Sequence, residues 1–188
     1  GVGFGHTRLS IVDIKGSDQP LHSDDGCVLI VNGEIYNHQR IRNQERGFQF
    51  RTKGDGEAIL AAYKARKNEY DWVQRLDGIW AFSLWDTRRE KLILCRDRLG
   101  VKPLVRTVTK QGTLLFGSEV KCLRSHPGHS PEIDLDALVA RIAYEYPLDE
   151  TTLFEGVHSV RSGNLEIWKI NDNRAEIEEV HRWVDDTS

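Results

Sequence analysis

Three short segments of this sequence carry side chains suited to holding and polarising a small polar molecule. In Gly5-His6-Thr7-Arg8-Leu9-Ser10-Ile11-Val12-Asp13, one arginine stands within an otherwise apolar, strand-like run. A guanidinium presents a planar fork of donors that grips a carboxylate through two parallel hydrogen bonds, so Arg8 is suited to anchor an acid group. In Val31-Asn32-Gly33-Glu34-Ile35-Tyr36-Asn37, an asparagine amide sits beside a glycine backbone N–H. Two such donors can converge on a single oxygen as negative charge develops on it. In Lys53-Gly54-Asp55-Gly56-Glu57, the Asp55 carboxylate can receive an ammonium, and its flanking glycines allow close backbone approach.

Each segment also has a plainer reading. Arg8 suits a surface ion pair, Asn32-Gly33 a tight turn, and Asp55 a helix cap. Together they describe something more specific: an arginine for a carboxylate, an aspartate for an ammonium, and two donors for an oxyanion. That set forms a receptor for an α-amino acid whose side-chain carbonyl is to be attacked.

The elements that must position these residues read mostly as strands. Cys27 to Val31, Ile79 to Trp85 and Leu92 to Cys95 are short runs rich in apolar, β-branched or aromatic residues. Leu104 to Val108 and Thr113 to Phe116 flank Lys110-Gln111-Gly112 as a hairpin, and Leu165 to Trp168 alternates with period two. Helices are expected over Asp55 to Arg66, over a short stretch capped by Asn37, and after Asp134. In the last of these Leu135, Leu138, Val139 and Ile142 share one face, and Pro147 ends the helix. Strands in hairpins with helices between groups predict an α+β layered domain on antiparallel sheets. The domain is expected over residues 1–170, with the charged stretch 171–188 as a linker.

Composition narrows the function classes. The 188 residues carry a formal charge of −3 and are 39% hydrophobic and 29% charged, as in a soluble globular chain. No apolar run approaches a membrane span, and near-balanced charge advertises neither nucleic acid nor a membrane as partner. Cys27, Cys95 and Cys122 are an odd, widely spaced set with no C-x-x-C pair. They predict no disulfide framework, no metal site and a cytoplasmic location. His126-Pro127-Gly128-His129 reads as a turn. The sequence contains no methionine, so an excerpt of a longer protein is expected.

The ordered motifs resemble one family along nearly the whole chain. Arg-Leu-Ser-Ile-Val-Asp, Val-Asn-Gly-Glu-Ile-Tyr-Asn-His and Gly-Asp-Gly-Glu-Ala-Ile-Leu are similar to the glutaminase domain of asparagine synthetases, which are class II glutamine amidotransferases. Leu76-Asp77-Gly78-Ile79-Trp80-Ala81-Phe82, Arg96-Asp97-Arg98-Leu99-Gly100-Val101-Lys102-Pro103-Leu104 and Phe116-Gly117-Ser118-Glu119-Val120-Lys121 continue the likeness. The resemblance implies an N-terminal-nucleophile αββα sandwich, two antiparallel sheets between helices. It implies that Arg8 binds the glutamine α-carboxylate with backbone at Ile11 and Val12, and that Asn32 and Gly33 form the oxyanion hole. Asp55, with backbone near Glu34, would hold the α-ammonium. The family's nucleophile is an amino-terminal cysteine, which is absent from this sequence. Ammonia would pass to a C-terminal synthetase domain using ATP and magnesium, with no cofactor in this chain and a homodimer of the full protein. Val105-Arg106 departs from the aromatics the family tends to carry after Lys-Pro-Leu, and Arg161-Ser162-Gly163 stands where it often has Pro-Pro-Gly. Two alternatives accompany this reading. One is an inactive scaffold domain of the kind found in β-lactam synthetase, and the other a non-catalytic glutamine-binding module.

Overall fold

The computed structural model describes residues 1–7, 13, 16–145, 149–172 and 174–184. Its first strands are β1 (Leu21–His22) and β2 (Cys27–Ile35), followed by helices α1 (His38–Gln44) and α2 (Glu57–Lys64). Strands β3 (Gly78–Asp86), β4 (Lys91–Arg96), β5 (Val105–Val108) and β6 (Leu114–Gly117) come next. After α3 (Val120–Leu123) and α4 (Leu135–Tyr144), the chain closes with β7 (His158–Ser159), β8 (Asn164–Asn171) and β9 (Arg174–Arg182). Among the described residues the strands form a six-stranded antiparallel sheet in the order β1-β2-β3-β4-β8-β9 and a three-stranded one in the order β6-β5-β7.

Strand alternation explains the layering. On β3, Trp80, Phe82 and Leu84 turn to one side and pack with Leu29, Ile35 and the buried run Ala58 to Tyr63 of α2. Ala81 turns to the other side, where Leu92, Leu94 and Trp168 meet Leu104 and Val160 beside the second sheet. The large sheet is therefore covered on both faces, which is why its central strands read as nearly continuous apolar runs. The outer face of the small sheet packs Val105 and Leu115 against Val120 and Leu123 of α3. The result is the expected α+β arrangement, two antiparallel sheets between helical layers.

Two expectations change. The stretch from 171, expected as a linker, contains β9, which pairs with β8 along its length. Beyond it Trp183 is buried and stacks on Trp80 with ring centroids 5.4 Å apart. Its charge misleads because β9 is an edge strand with most side chains in solvent. Helix α4 is capped as expected, since Asp134 Oδ1 accepts from the Ala137 N–H at 2.9 Å. Its apolar stripe nevertheless faces outward, with Leu135, Val139 and Ile142 at 69%, 65% and 74% exposure. Amphipathic spacing identifies the helix without saying what covers it. Pro147 lies outside the described residues.

The departure at Val105-Arg106 becomes intelligible between the sheets. Arg106 on β5 extends into the interior, where its Nε donates to Glu166 Oε2 of β8 at 2.6 Å. The same oxygen accepts from the Trp168 indole at 3.0 Å. Burial pushes the Glu166 carboxyl above the usual range, although the guanidinium and indole pull it the other way. A carboxyl raised in the folded state binds its proton more tightly there than in the unfolded chain, so its contribution to stability falls as pH rises. Removing the arginine leaves that charge without its partner. Arg106→Leu is expected to cost about 3–5 kcal/mol in urea unfolding. Adding Glu166→Gln, which keeps an acceptor for Trp168, should recover most of the loss. The single variant should be less destabilised at about pH 5 than at about pH 8, and equal losses at both would contradict this account.

Candidate functional site

Among the described residues, strand β2 has a neighbour on one edge for only part of its length. Its pairing with β1 covers Val28 and Leu29, whereas β3 pairs with it from Cys27 to Ile35. Beyond Leu29, side chains take the place of a strand. The Gln19 side chain accepts from the Val31 N–H at 2.7 Å and donates to the Val31 carbonyl at 2.9 Å. Further along, Asp55 Oδ2 accepts from the Ile35 N–H at 2.7 Å. Backbone N–H groups two residues apart point the same way in a strand, so the Gly33 N–H points to this open edge between Gln19 and Asp55.

Gly33 is required at that position by geometry. Its φ is +146°, and a Cβ there would lie 2.1 Å from the Ile79 carbonyl oxygen on β3. Gly78, opposite Ile35, has the same property against the Glu34 carbonyl. These two glycines let β2 and β3 approach closely where the site lies. Asn32 and Glu34 alternate onto the face turned away from α2.

Asn32, Gly33, Glu34 and Asp55 all line one cleft of about 910 Å³, which reaches between the two sheets to Leu104 and Phe116. Arg8, Ile11 and Val12 lie outside the described residues. The plainer readings of the other two segments do not hold. Asn32-Gly33 lies inside a nine-residue strand rather than at a turn. Asp55 is not a helix cap, since Gly56 occupies the cap position of α2 without a side-chain hydrogen bond. The Asp55 carboxylate instead turns to β2, where Oδ2 is engaged, and the residue lines the cleft.

Several contributors to the site escape sequence reasoning. Gln19 carries no motif signal, because what it meets is the backbone of Val31. Glu57 is 2% exposed and gathers the Arg51 and Thr52 N–H groups, each at 2.9 Å, and the Thr52 hydroxyl at 2.8 Å. On the other side of β3, Asp97 accepts from four backbone amides, those of Leu99, Val101 and Lys102 at 3.0 Å and Trp80 at 3.2 Å. Arg96 donates to the carbonyls of Lys102, Gly100 and Val160. Arg-Asp-Arg-Leu-Gly-Val-Lys-Pro is therefore a loop whose polar groups are tied by its own first two side chains.

The cysteines divide by environment. Cys27 and Cys95 are buried, and burial raises both thiols, Cys27 to about 12. Neither is poised to form a thiolate. Cys122 is exposed on α3 and lines the same cleft. Among the described residues no group of three His, Cys, Asp or Glu side chains could hold a metal ion, and no helix is long and apolar enough to cross a membrane.

Comparison with known proteins gives this geometry a context. Residues 1–183 match the glutamine amidotransferase domain family. A glutamine-hydrolysing asparagine synthetase homologue of Mycobacterium bovis is 43% identical over 174 residues, which is 87% of this chain and 26% of that protein. "Amidase chry2" of Gibberella zeae is 38% identical over 187 residues, 98% of this chain and 26% of that protein. The chain thus spans about a quarter of the length of these relatives. Among solved structures, glutamine phosphoribosylpyrophosphate amidotransferase from B. subtilis superposes with a TM-score of 0.55. It does so at 19% identity, over 88% of this chain and 32% of that one, and shares the fold.

The close approach at Gly33 yields a direct test. Gly33→Ala places a methyl against backbone that cannot move aside, and is expected to cost at least about 1–3 kcal/mol by chemical denaturation. Gly47→Ala, where nothing lies within 4 Å, should stay within about 0.5 kcal/mol of the parent. Comparable losses in the two variants would remove the steric argument.

Proposed function

This chain belongs to the glutamine amidotransferase domain family, in the form carried by asparagine synthetase-like proteins, and from that premise we propose that it binds glutamine in the β2 cleft for release of ammonia. The observation that carries this reading is the open edge of β2. There Gly33 N–H is aimed outward, Asn32 stands beside it on the cleft, and Asp55 is held one step along the strand. In the proposed reaction a thiolate adds to the glutamine side-chain carbonyl, and charge moves onto its oxygen. The Gly33 N–H and the Asn32 amide stabilise that oxyanion. Asp55 and backbone near Glu34 take the α-ammonium, and Arg8, with backbone at Ile11 and Val12, takes the α-carboxylate.

The thiolate is not assigned to a cysteine of this sequence. Cys27 and Cys95 are buried and protonated, and Cys122 lies on α3 rather than on the β2 edge. We assign it to an amino-terminal cysteine of the parent protein, whose own α-amine can carry the proton. The chain taken alone is then inactive. The parent enzyme would pass ammonia to a C-terminal synthetase domain, where ATP and magnesium activate aspartate, in the cytoplasm and as a homodimer. A relative named as an amidase matches nearly the whole chain, so an acceptor other than aspartate is the second reading.

Calorimetric titration of the full-length protein with glutamine tests the assignment. Asp55→Asn keeps an acceptor for the Ile35 N–H but loses the charge that meets the ammonium. It and Arg8→Ala should each weaken binding by about 10- to 150-fold, the equivalent of about 1.5–3 kcal/mol. Glutamine binding without hydrolysis by the full-length protein would identify a binding module. Absence of binding would leave an inactive scaffold and end the proposal.

A further inference from the structure

The segment preceding Asp55 is held by side chains at every backbone amide from residue 51 to residue 54. The N–H groups of Arg51 and Thr52 donate to Glu57. That of Lys53 donates to Asp13 Oδ2 at 2.8 Å, and that of Gly54 to the Thr52 hydroxyl at 3.2 Å. The Gly54 carbonyl is taken as well, by Arg42 Nη2 from α1. The same nitrogen lies 3.4 Å from Glu57 Oε2, and the guanidinium sits 4.2 Å over the Phe50 ring. Arg42 is 14% exposed and Glu57 2%. A loop of this length with polar ends would ordinarily leave its amides to water. Here both carboxylate oxygens of Glu57 and a shared guanidinium fix its path.

We infer that Arg42 and Glu57 are positioning residues that set the Asp55 carboxylate and so confer selectivity for a ligand bearing an α-ammonium. This rests on the reading of Asp55 as the ammonium partner. The physical chain is short. Arg42 bridges Glu57 to the Gly54 carbonyl, Glu57 fixes Arg51 and Thr52, and the next residue is Asp55. Its Oδ2 is held on Ile35 N–H at 2.7 Å. A carboxylate fixed through one oxygen presents the other in a constant direction, and a charged hydrogen bond depends steeply on that direction. Loosening the loop spares the carboxylate's charge but spreads its position. Neither Arg42 nor Glu57 lines the cleft, so each acts only through the loop.

The test compares glutamine with glutaramate, the same molecule without the α-amine, on the full-length protein by calorimetry. The parent protein should favour glutamine by at least about tenfold, the value of one charge-assisted hydrogen bond. Arg42→Ala should weaken glutamine binding by about tenfold while leaving glutaramate within about twofold, so that the preference collapses. Arg42→Lys reaches one acceptor but not two and should fall between. Thr52→Val removes the hydroxyl's contacts to Glu57 and Gly54 without disturbing the ion pair, and should reproduce the selective loss if Arg42→Ala fails to fold. Equal weakening of both ligands in Arg42→Lys and Thr52→Val would show a merely structural role and overturn the inference. So would an unchanged preference. A parent protein that binds both ligands equally would instead overturn the ammonium role of Asp55 itself, and the inference with it.

Discussion

A β-strand that runs past the end of its neighbour leaves backbone amides that must be satisfied by water, by side chains or by a ligand. Among the described residues β2 is such a strand, and the rest of the site follows from how its edge is completed. Gln19 imitates a strand at Val31 by accepting and donating at once, and Asp55 accepts at Ile35. Between them the Gly33 amide points to the open edge, and among the described residues no strand pairs with it there. An amide freed in the middle of a regular strand is held rigidly by its neighbours, so it needs little reorganisation to meet charge developing nearby. The same amide at a mobile turn would lose that advantage.

Keeping the edge open requires that the other side of β2 be fixed, and the glycine pair supplies this. Gly33 and Gly78 sit two pairing steps apart on facing strands, and each would drive a Cβ into the opposite carbonyl. Their close approach sets the end of the β2–β3 ladder. Asp97 then takes the Trp80 N–H and returns its own N–H to the Trp80 carbonyl, tying β3 to the loop after β4. Arg106 and Glu166 link the second sheet across the interior. The cleft itself is lined by Asn32, Glu34 and Asp55 at the site and by Leu104, Leu114 and Phe116 between the sheets.

The parts of this arrangement that were legible in the sequence are those with period or motif. β2, β3, β4 and the β5–β6 hairpin were readable because double-sided burial demands apolar runs and a tight turn demands Gly112. Asn32, Gly33 and Asp55 stood out because their chemistry converges. The edge strand β9 did not, since a strand with solvent on one side and no outer neighbour carries few apolar residues. Gln19 and Glu57 were hidden for a different reason. Each is a polar side chain whose partner is backbone, and backbone has no sequence identity with which to signal a pairing. Arg106 reads in sequence only as a departure from the family's aromatics, and its counterion is sixty residues away on another sheet.

Asp55 shows why an aspartate before a helix does not reveal in sequence where its carboxylate turns. A cap and a substrate ligand call for the same residue type at the same spacing, because both need a short side chain carrying acceptor oxygens. The difference lies in which way the carboxylate turns, and that is decided by the preceding loop. With Arg51 to Gly54 tied to Glu57, Asp13 and Thr52, and with Arg42 on the Gly54 carbonyl, the chain enters α2 with Asp55 directed to β2. Gly56, where a Cβ would lie 2.8 Å from Leu21, takes the cap position of α2. The helix thereby gives up a side-chain cap, and with glycine in that place the sacrifice is roughly a few tenths of a kcal/mol. Burial of Ala58 to Tyr63 against the large sheet offsets that loss many times over. A helix anchored by its apolar face can release its cap residue, and here the released carboxylate is the one that borders the open edge of β2.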